Sequence, residues 1–220
     1  MNREDRDGVL VFGHWGRPVL VFPSQERSRY EWEEHGMVDA VADLIDAGRV
    51  KLYCVDSWDA ATWTDEWLPR EERARRHEAY ERWVLEHVDG DDAIAAGVSM
   101  GAYHAANIAL RHPDRFPLAL CFSGIYDIAR LGWGERGDSV YFNNPVDYVP
   151  GLDASPASLL LVAGRGMWED TTGALESTLH FAELLRAQGV RHELDVWGEE
   201  APHDWPAWRA QLAKHLPRFV

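Results

Sequence analysis

Three kinds of side chain in this sequence, a hydroxyl, an imidazole and a carboxylate, stand where they could act in series. Ser99 lies between two glycines in Gly97-Val98-Ser99-Met100-Gly101. A short apolar run, "AIAAGV", leads into it and a helical pattern follows at once. The Gly-x-Ser-x-Gly pattern is weak by itself, because an ordinary strand-to-helix turn with a small capping serine reads the same way. The strand before it and the helix after it make it the pattern of a nucleophile elbow, in which a sharp turn lifts the hydroxyl clear of a sheet. Such a turn strains the serine backbone and needs neighbours without side chains. It also sets the Met100 N–H at a helix N-terminus, where a developing oxyanion is stabilised.

A serine hydroxyl attacks well only when a base takes its proton. The chain has ten histidines. His104 and His112 lie on the helix after the elbow. His77, His87, His180 and His215 sit in amphipathic helical patterns, His14 in a turn, His35 at a helix start and His192 at a strand start. His203 differs from all of these. It follows the last strand in "VWGEEAPHDWPAWRAQL", on a loop at the end of a sheet strand, which is where an open α/β sheet meets its ligands. The imidazole needs an acid to fix its tautomer. "LLLVAGRGMWEDTTGAL" supplies Glu169 and Asp170 beyond the preceding strand. Asp170 reads equally well as a helix N-cap and Glu169 as a first-turn charge, so spacing alone leaves both open.

The elements that must hold these groups follow from the alternation of short apolar runs with longer amphipathic ones. That alternation predicts an α/β domain over residues 1–220 with a mostly parallel sheet of about seven strands. Residues 8–13 and 17–24, with a short turn between them, predict an N-terminal antiparallel hairpin. Further strands are expected over 50–57, 93–99, 117–125, 157–164 and 192–198. Helical spacing appears over 37–45, 69–88, after Ser99, over 175–185 and from Trp205. Continuous apolar strands require helices on both faces. Residues 125–153 read as a long loop with a helical turn or two. Of eleven tryptophans, Trp83 and Trp197 are expected in the core, and Trp58, Trp63, Trp67, Trp133 and Trp168 beneath or beside loops.

A formal net charge of −15 sets the chain against nucleic acid and anionic membrane surfaces. The basic stretch over 70–76 is interleaved with glutamates and reads as a solvated helix face. Cys54 and Cys121 fall in apolar runs, as small buried residues rather than a disulfide or zinc set. No secretory leader and no membrane-spanning run is legible, so a cytoplasmic protein is expected. No metal or organic cofactor is called for, and no pattern fixes an oligomeric state.

Taken together, these stretches resemble the α/β hydrolases, and within them the esterase D-like group that includes S-formylglutathione hydrolases and the mycolyltransferases. The likeness runs from residue 8 to the closing helix. It is most specific in "GVSMGAYHAANIALRHPDRF" and "HDWPAWRAQL", and the order of Ser99, acid and His203 is that of the fold. The resemblance implies an α/β-hydrolase fold without a large cap domain. It also implies a serine esterase that forms an acyl-enzyme on Ser99 from a small-molecule ester, or an acyltransferase or thioesterase using the same residues. A complete set of three argues against a non-catalytic binding protein on this fold. In the mycolyltransferases a similar histidine is followed by tryptophans at the spacing of Trp205 and Trp208. A Gly-x-Gly strand end there leads to a catalytic acid at the position matching Asp170, so the resemblance points to Asp170 as the acid, with Glu169 as the alternative. One departure is plain: the His-Gly oxyanion loop of the family is replaced by Phe22-Pro23-Ser24-Gln25. Met100 should supply one oxyanion donor and a backbone N–H of Gln25 or Ser24 the other, since Pro23 has none.

Overall fold

The computed structural model describes residues 1–88, 90–153 and 155–220. In chain order its strands are β1 (Arg3–Arg6), β2 (Val9–Phe12), β3 (Arg17–Phe22), β4 (Val50–Val55), β5 (Ile94–Val98), β6 (Leu118–Phe122), β7 (Ser158–Ala163) and β8 (Arg191–Val196). Among the described residues these eight make one sheet in the order β1-β2-β4-β3-β5-β6-β7-β8. The β1–β2 and β2–β4 pairs are antiparallel and the rest parallel.

An antiparallel hairpin does open the chain, but its partners differ from the expected ones. It joins β1 to β2, whereas β2 and β3 do not pair. β2 lies against β4, and β3 inserts between β4 and β5. Val19, Leu20, Val21 and Phe22 are all buried, as a central parallel strand covered on both faces requires. β1 escaped the sequence reading because Arg-Glu-Asp-Arg carries no apolar alternation. All four of its residues are exposed, and charge on a sheet edge discourages pairing with another chain.

The helices are α1 (Glu31–Glu34), α2 (Ala42–Asp46), α3 (Arg70–His87), α4 (Met100–Arg111), α5 (Asp138–Asn143), α6 (Pro145–Tyr148), α7 (Ala174–Ala187) and α8 (Trp205–His215). Strand periodicity sorts the core into two layers. Leu20, Phe22, Ala95, Cys121 and Leu161 face Tyr80 and Val84 of α3, Ala105 and Ala109 of α4, and Phe181 of α7. Val19, Val21, Ala96, Leu120 and Val162 face Trp32, Met37, Leu44 and the α8 residues Trp208 and Leu212. The expected helix over 37–45 is broken into a 3₁₀ turn, Asp39–Val41, and α2. Residues 125–153 hold α5 and α6, with 3₁₀ turns at Ile128–Arg130 and Val149–Gly151 and irregular segments around them.

Some side chains sit otherwise than expected. Trp83 and Trp197 are half-buried, while Trp32 and Trp63 are the fully enclosed tryptophans. Arg73, inside the basic stretch, is buried and donates to the Leu68 and Trp63 carbonyls, so that stretch is not wholly a solvated face. Cys54 and Cys121 are buried free thiols. No helix among the described residues is long and apolar enough to cross a membrane.

Candidate active site

β5 delivers the chain to Ser99 and α4 carries it away. Fully buried alanines on both elements, Ala95 and Ala96 on one and Ala102, Ala105, Ala106 and Ala109 on the other, keep the helix close to the sheet. Ser99 has φ 53° and ψ −119°, a left-handed value that a non-glycine residue holds only when its surroundings enforce it. A Cβ on Gly97 would stand 2.1 Å from the Gly101 carbonyl oxygen, and one on Gly101 would stand 2.4 Å from that of Pro23. Both contacts are with backbone and leave room for hydrogen alone. Met100 is the first residue of α4, so its N–H has no acceptor within the helix.

His203 Nε2 lies 3.0 Å from Ser99 Oγ. The imidazole sits between β8 and α8, just before the N-cap Asp204, whose side chain accepts from the Trp205 N–H at 2.7 Å. Trp208 meets the His203 ring edge-on at 5.0 Å. The His203 N–H donates to the Met167 carbonyl at 3.0 Å, which ties the histidine loop to the loop after β7.

On that second loop the structure brings Glu169, and not Asp170, to the imidazole. Glu169 is fully enclosed, and its Oε2 lies 3.5 Å from His203 Nδ1. Its Oε1 accepts from Ser123 Oγ and from the Gly164 N–H, and Ser123 Oγ accepts in turn from Trp208 Nε1–H at 3.1 Å. Asp170 is exposed and accepts from the N–H of Thr171 beside it. It is a turn residue here. Trp168 has a left-handed φ of 73° within the turn where Glu169 is buried and Asp170 exposed. Ser123 was not singled out from the sequence. Its only signal is its place immediately after β6, at the same sheet end as Ser99.

The loop after β3 is held by two enclosed carboxylates. Glu31 of α1 accepts from the Ser24 N–H at 2.8 Å and from Ser24 Oγ at 2.7 Å, so Ser24 is not a free oxyanion donor. Asp59 accepts from the Glu26 N–H at 3.3 Å, from Ser57 Oγ, and from His104 Nε2–H of α4 at 2.9 Å. The Gln25 N–H between them has no partner among the described residues. Burial raises the Glu31 carboxyl, and the two Ser24 hydrogen bonds oppose it. Burial also works to raise Asp59, but the charge and hydrogen bond of His104, helped by Ser57 and Glu26, bring it below its ordinary value.

A cleft of about 650 Å³ opens over Ser99, walled by residues 24–28, Glu31, His35, His203 and Trp205. His35 stacks on Trp205 at 4.2 Å. A second hollow of about 560 Å³ shares Gln25 and Glu26 with it and reaches Trp63, Leu131 and Trp133. Among the described residues no cluster could hold a metal ion.

A family model described as "Putative esterase" matches residues 21–219. The chain belongs to this esterase family. Over 151 residues, 54% of this chain and 44% of the relative, the chain is 26% identical to a diacylglycerol acyltransferase/mycolyltransferase Ag85A of Mycobacterium gordonae. The chain thus spans about half the length of the curated relatives it matches. In fold it is similar to an S-formylglutathione hydrolase from Agrobacterium tumefaciens, with a TM-score of 0.69 at 16% identity, over 99% of this chain and 92% of that one. A ferulic acid esterase gives a TM-score of 0.66 at 21% identity, over 96% and 91%. These likenesses establish an α/β-hydrolase-type fold for the chain, with its mostly parallel sheet and flanking helices.

Proposed function

We propose that this protein is a serine carboxylic-ester hydrolase of small-molecule esters. Ser99 Oγ attacks the ester carbonyl while His203 Nε2 takes its proton. Glu169 holds the imidazole with its other proton on Nδ1 and stabilises the imidazolium that forms. The N–H groups of Met100 and Gln25 receive the oxyanion. His203 then gives its proton to the leaving alcohol, and a water, deprotonated by the same imidazole, releases the acid from the acyl-enzyme. The observation that carries this reading is the 3.0 Å approach of His203 Nε2 to Ser99 Oγ, with an enclosed carboxylate facing the far side of the ring. The buried free thiols of Cys54 and Cys121 suit a reducing compartment, and we place the protein in the cytoplasm.

Acyl transfer to an alcohol is the second reading. The acyltransferase name of its relatives favours it, and so does a cleft open enough to admit an acceptor beside Ser99. Both readings pass through the same acyl-enzyme. Turnover of p-nitrophenyl esters of graded acyl length should be abolished by Ser99→Ala, by roughly 10³-fold or more. Adding an alcohol acceptor should leave free acid as the main product. A predominance of the transesterified product would favour acyl transfer, and unchanged turnover in Ser99→Ala would refute both.

A further inference from the structure

The loop that carries Gln25 is pinned on either side of that residue. The Ser24 N–H points to Glu31 and the Glu26 N–H to Asp59, while the Gln25 N–H between them has no partner among the described residues. Both acceptors are enclosed, Glu31 at 4% and Asp59 at 0% exposure. Neither touches Ser99 or His203. Glu26 has φ 58°, a left-handed value that the Asp59 contact helps to hold.

We infer that Glu31 and Asp59 are positioning residues for the reaction, which aim the Gln25 N–H at the oxyanion by fixing the peptide on each side of it. This rests on the reading of Ser99 as the nucleophile. Asp59 also bridges the two halves of the oxyanion site. Its Oδ1 accepts from His104, which lies on α4, the helix that begins with Met100, and its Oδ2 accepts from the loop bearing the second donor. Two further ties from the β4 side lock the far end of the loop: the Ser57 N–H donates to the Arg27 carbonyl at 2.9 Å, and Asp56 Oδ1 accepts from the Arg29 N–H at 2.8 Å. Enclosure gives these bonds weight, because a buried backbone N–H deprived of its acceptor must find another or shift. A shift here moves Gln25. An oxyanion donor acts only when it is already in place as charge develops, and its loss lowers kcat by about 10²–10³-fold. The carboxylates therefore act on the transition state and not on substrate affinity.

The test uses Asp59→Ala, Asp59→Asn, Glu31→Ala and Glu31→Gln, with the fraction of functional sites in each sample counted by burst titration. The alanine variants should lose at least about 10-fold in kcat per titrated site, with KM within about 3-fold of wild type. The amides should recover to within about 3-fold, because each retains a carbonyl oxygen for the N–H it faces. In Asp59→Asn the amide N–H₂ can donate to His104 Nε2 if that ring carries its proton on Nδ1, an atom with no other partner. A purely structural role would lower the melting temperature or the titrated fraction and leave kcat per site unchanged, and that result overturns the inference. So does equal loss in the alanine and amide variants. If Asp59→Ala does not fold, Glu31→Ala decides, since its site borders the open cleft. Ser99→Ala is run alongside: if it keeps turnover the nucleophile assignment fails, whereas if it is inactive and the alanine variants are not impaired, only the positioning role fails.

Discussion

Exchanging Glu169 for glutamine changes one atom and should disable the site. The carboxylate's Oε1 is committed to Ser123 Oγ and the Gly164 N–H, and a glutamine keeps those bonds through its own oxygen. The new N–H₂ group then takes the place of Oε2, 3.5 Å from His203 Nδ1. Two donors cannot face each other, so the ring must carry its proton on Nε2, the nitrogen that faces Ser99. An imidazole in that tautomer cannot accept the serine proton. The cost of a wrong tautomer is about 10⁴-fold in kcat, or about 5.4 kcal/mol of transition-state stabilisation at about 1.36 kcal/mol per decade. KM should stay within a few-fold, because Glu169 does not line the cleft. Asp170→Asn is the matched control. It alters an exposed side chain bonded to its own turn, so its rate should stay within about 2-fold and its stability within about 0.5 kcal/mol. Initial rates with p-nitrophenyl acetate, beside melting curves for each variant, measure both. A Glu169→Gln enzyme within 10-fold of wild type, or a greater loss in Asp170→Asn, would refute the reasoning.

Acid should destabilise the fold through a second enclosed cluster. Burial, with His104 adjacent, pushes the His77 imidazole down from 6.5 to about 3. Burial works to raise Glu81, but the hydrogen bond with His112 and the charge of Arg111 hold it at about 2, below its ordinary 4.5. The unfolded chain thus binds more protons than the folded one below pH 6.5. The stability from both groups is complete above that pH and is lost as pH falls, first as the unfolded chain's His77 takes up its proton below 6.5 and then as its Glu81 does so below 4.5. Urea midpoints at pH 7.5, 5.5 and 4.5 should decline in step, and a flat series would contradict this. Gly101→Ala sets a methyl 2.4 Å from the Pro23 carbonyl oxygen and 2.5 Å from that of Phe22. Overpacking of that kind costs about 1–3 kcal/mol, or about 2–12 °C in Tm for a chain of this size, and it should cut kcat by displacing the Gln25 loop. An unshifted Tm would show that α4 and the loop are not pressed together.

The sequence made the elbow legible because its requirements are local: a strand, a serine between residues too small to clash, and a helix. His203 was legible from its place after the last strand. The choice between Glu169 and Asp170 was not, because adjacent residues at a strand end share every sequence signal. It turns on the left-handed backbone at Trp168 and on the bonds Glu169 accepts from the Gly164 N–H on its own loop and from Ser123 on another strand end. The hairpin was misassigned for a related reason. Two apolar runs with a short turn between them satisfy a local rule, but full burial on both faces placed β3 between β4 and β5. Asp59 left no trace at all in the pattern, since what makes it important is its enclosure against His104 and Glu26.

The most direct measurement is mass mapping of the folded protein after treatment with a fluorophosphonate, which traps an activated serine. One adduct per chain is expected, on Ser99, and its loss in His203→Ala. Folded protein that stays unlabelled, or an adduct confined to any other residue, would contradict this.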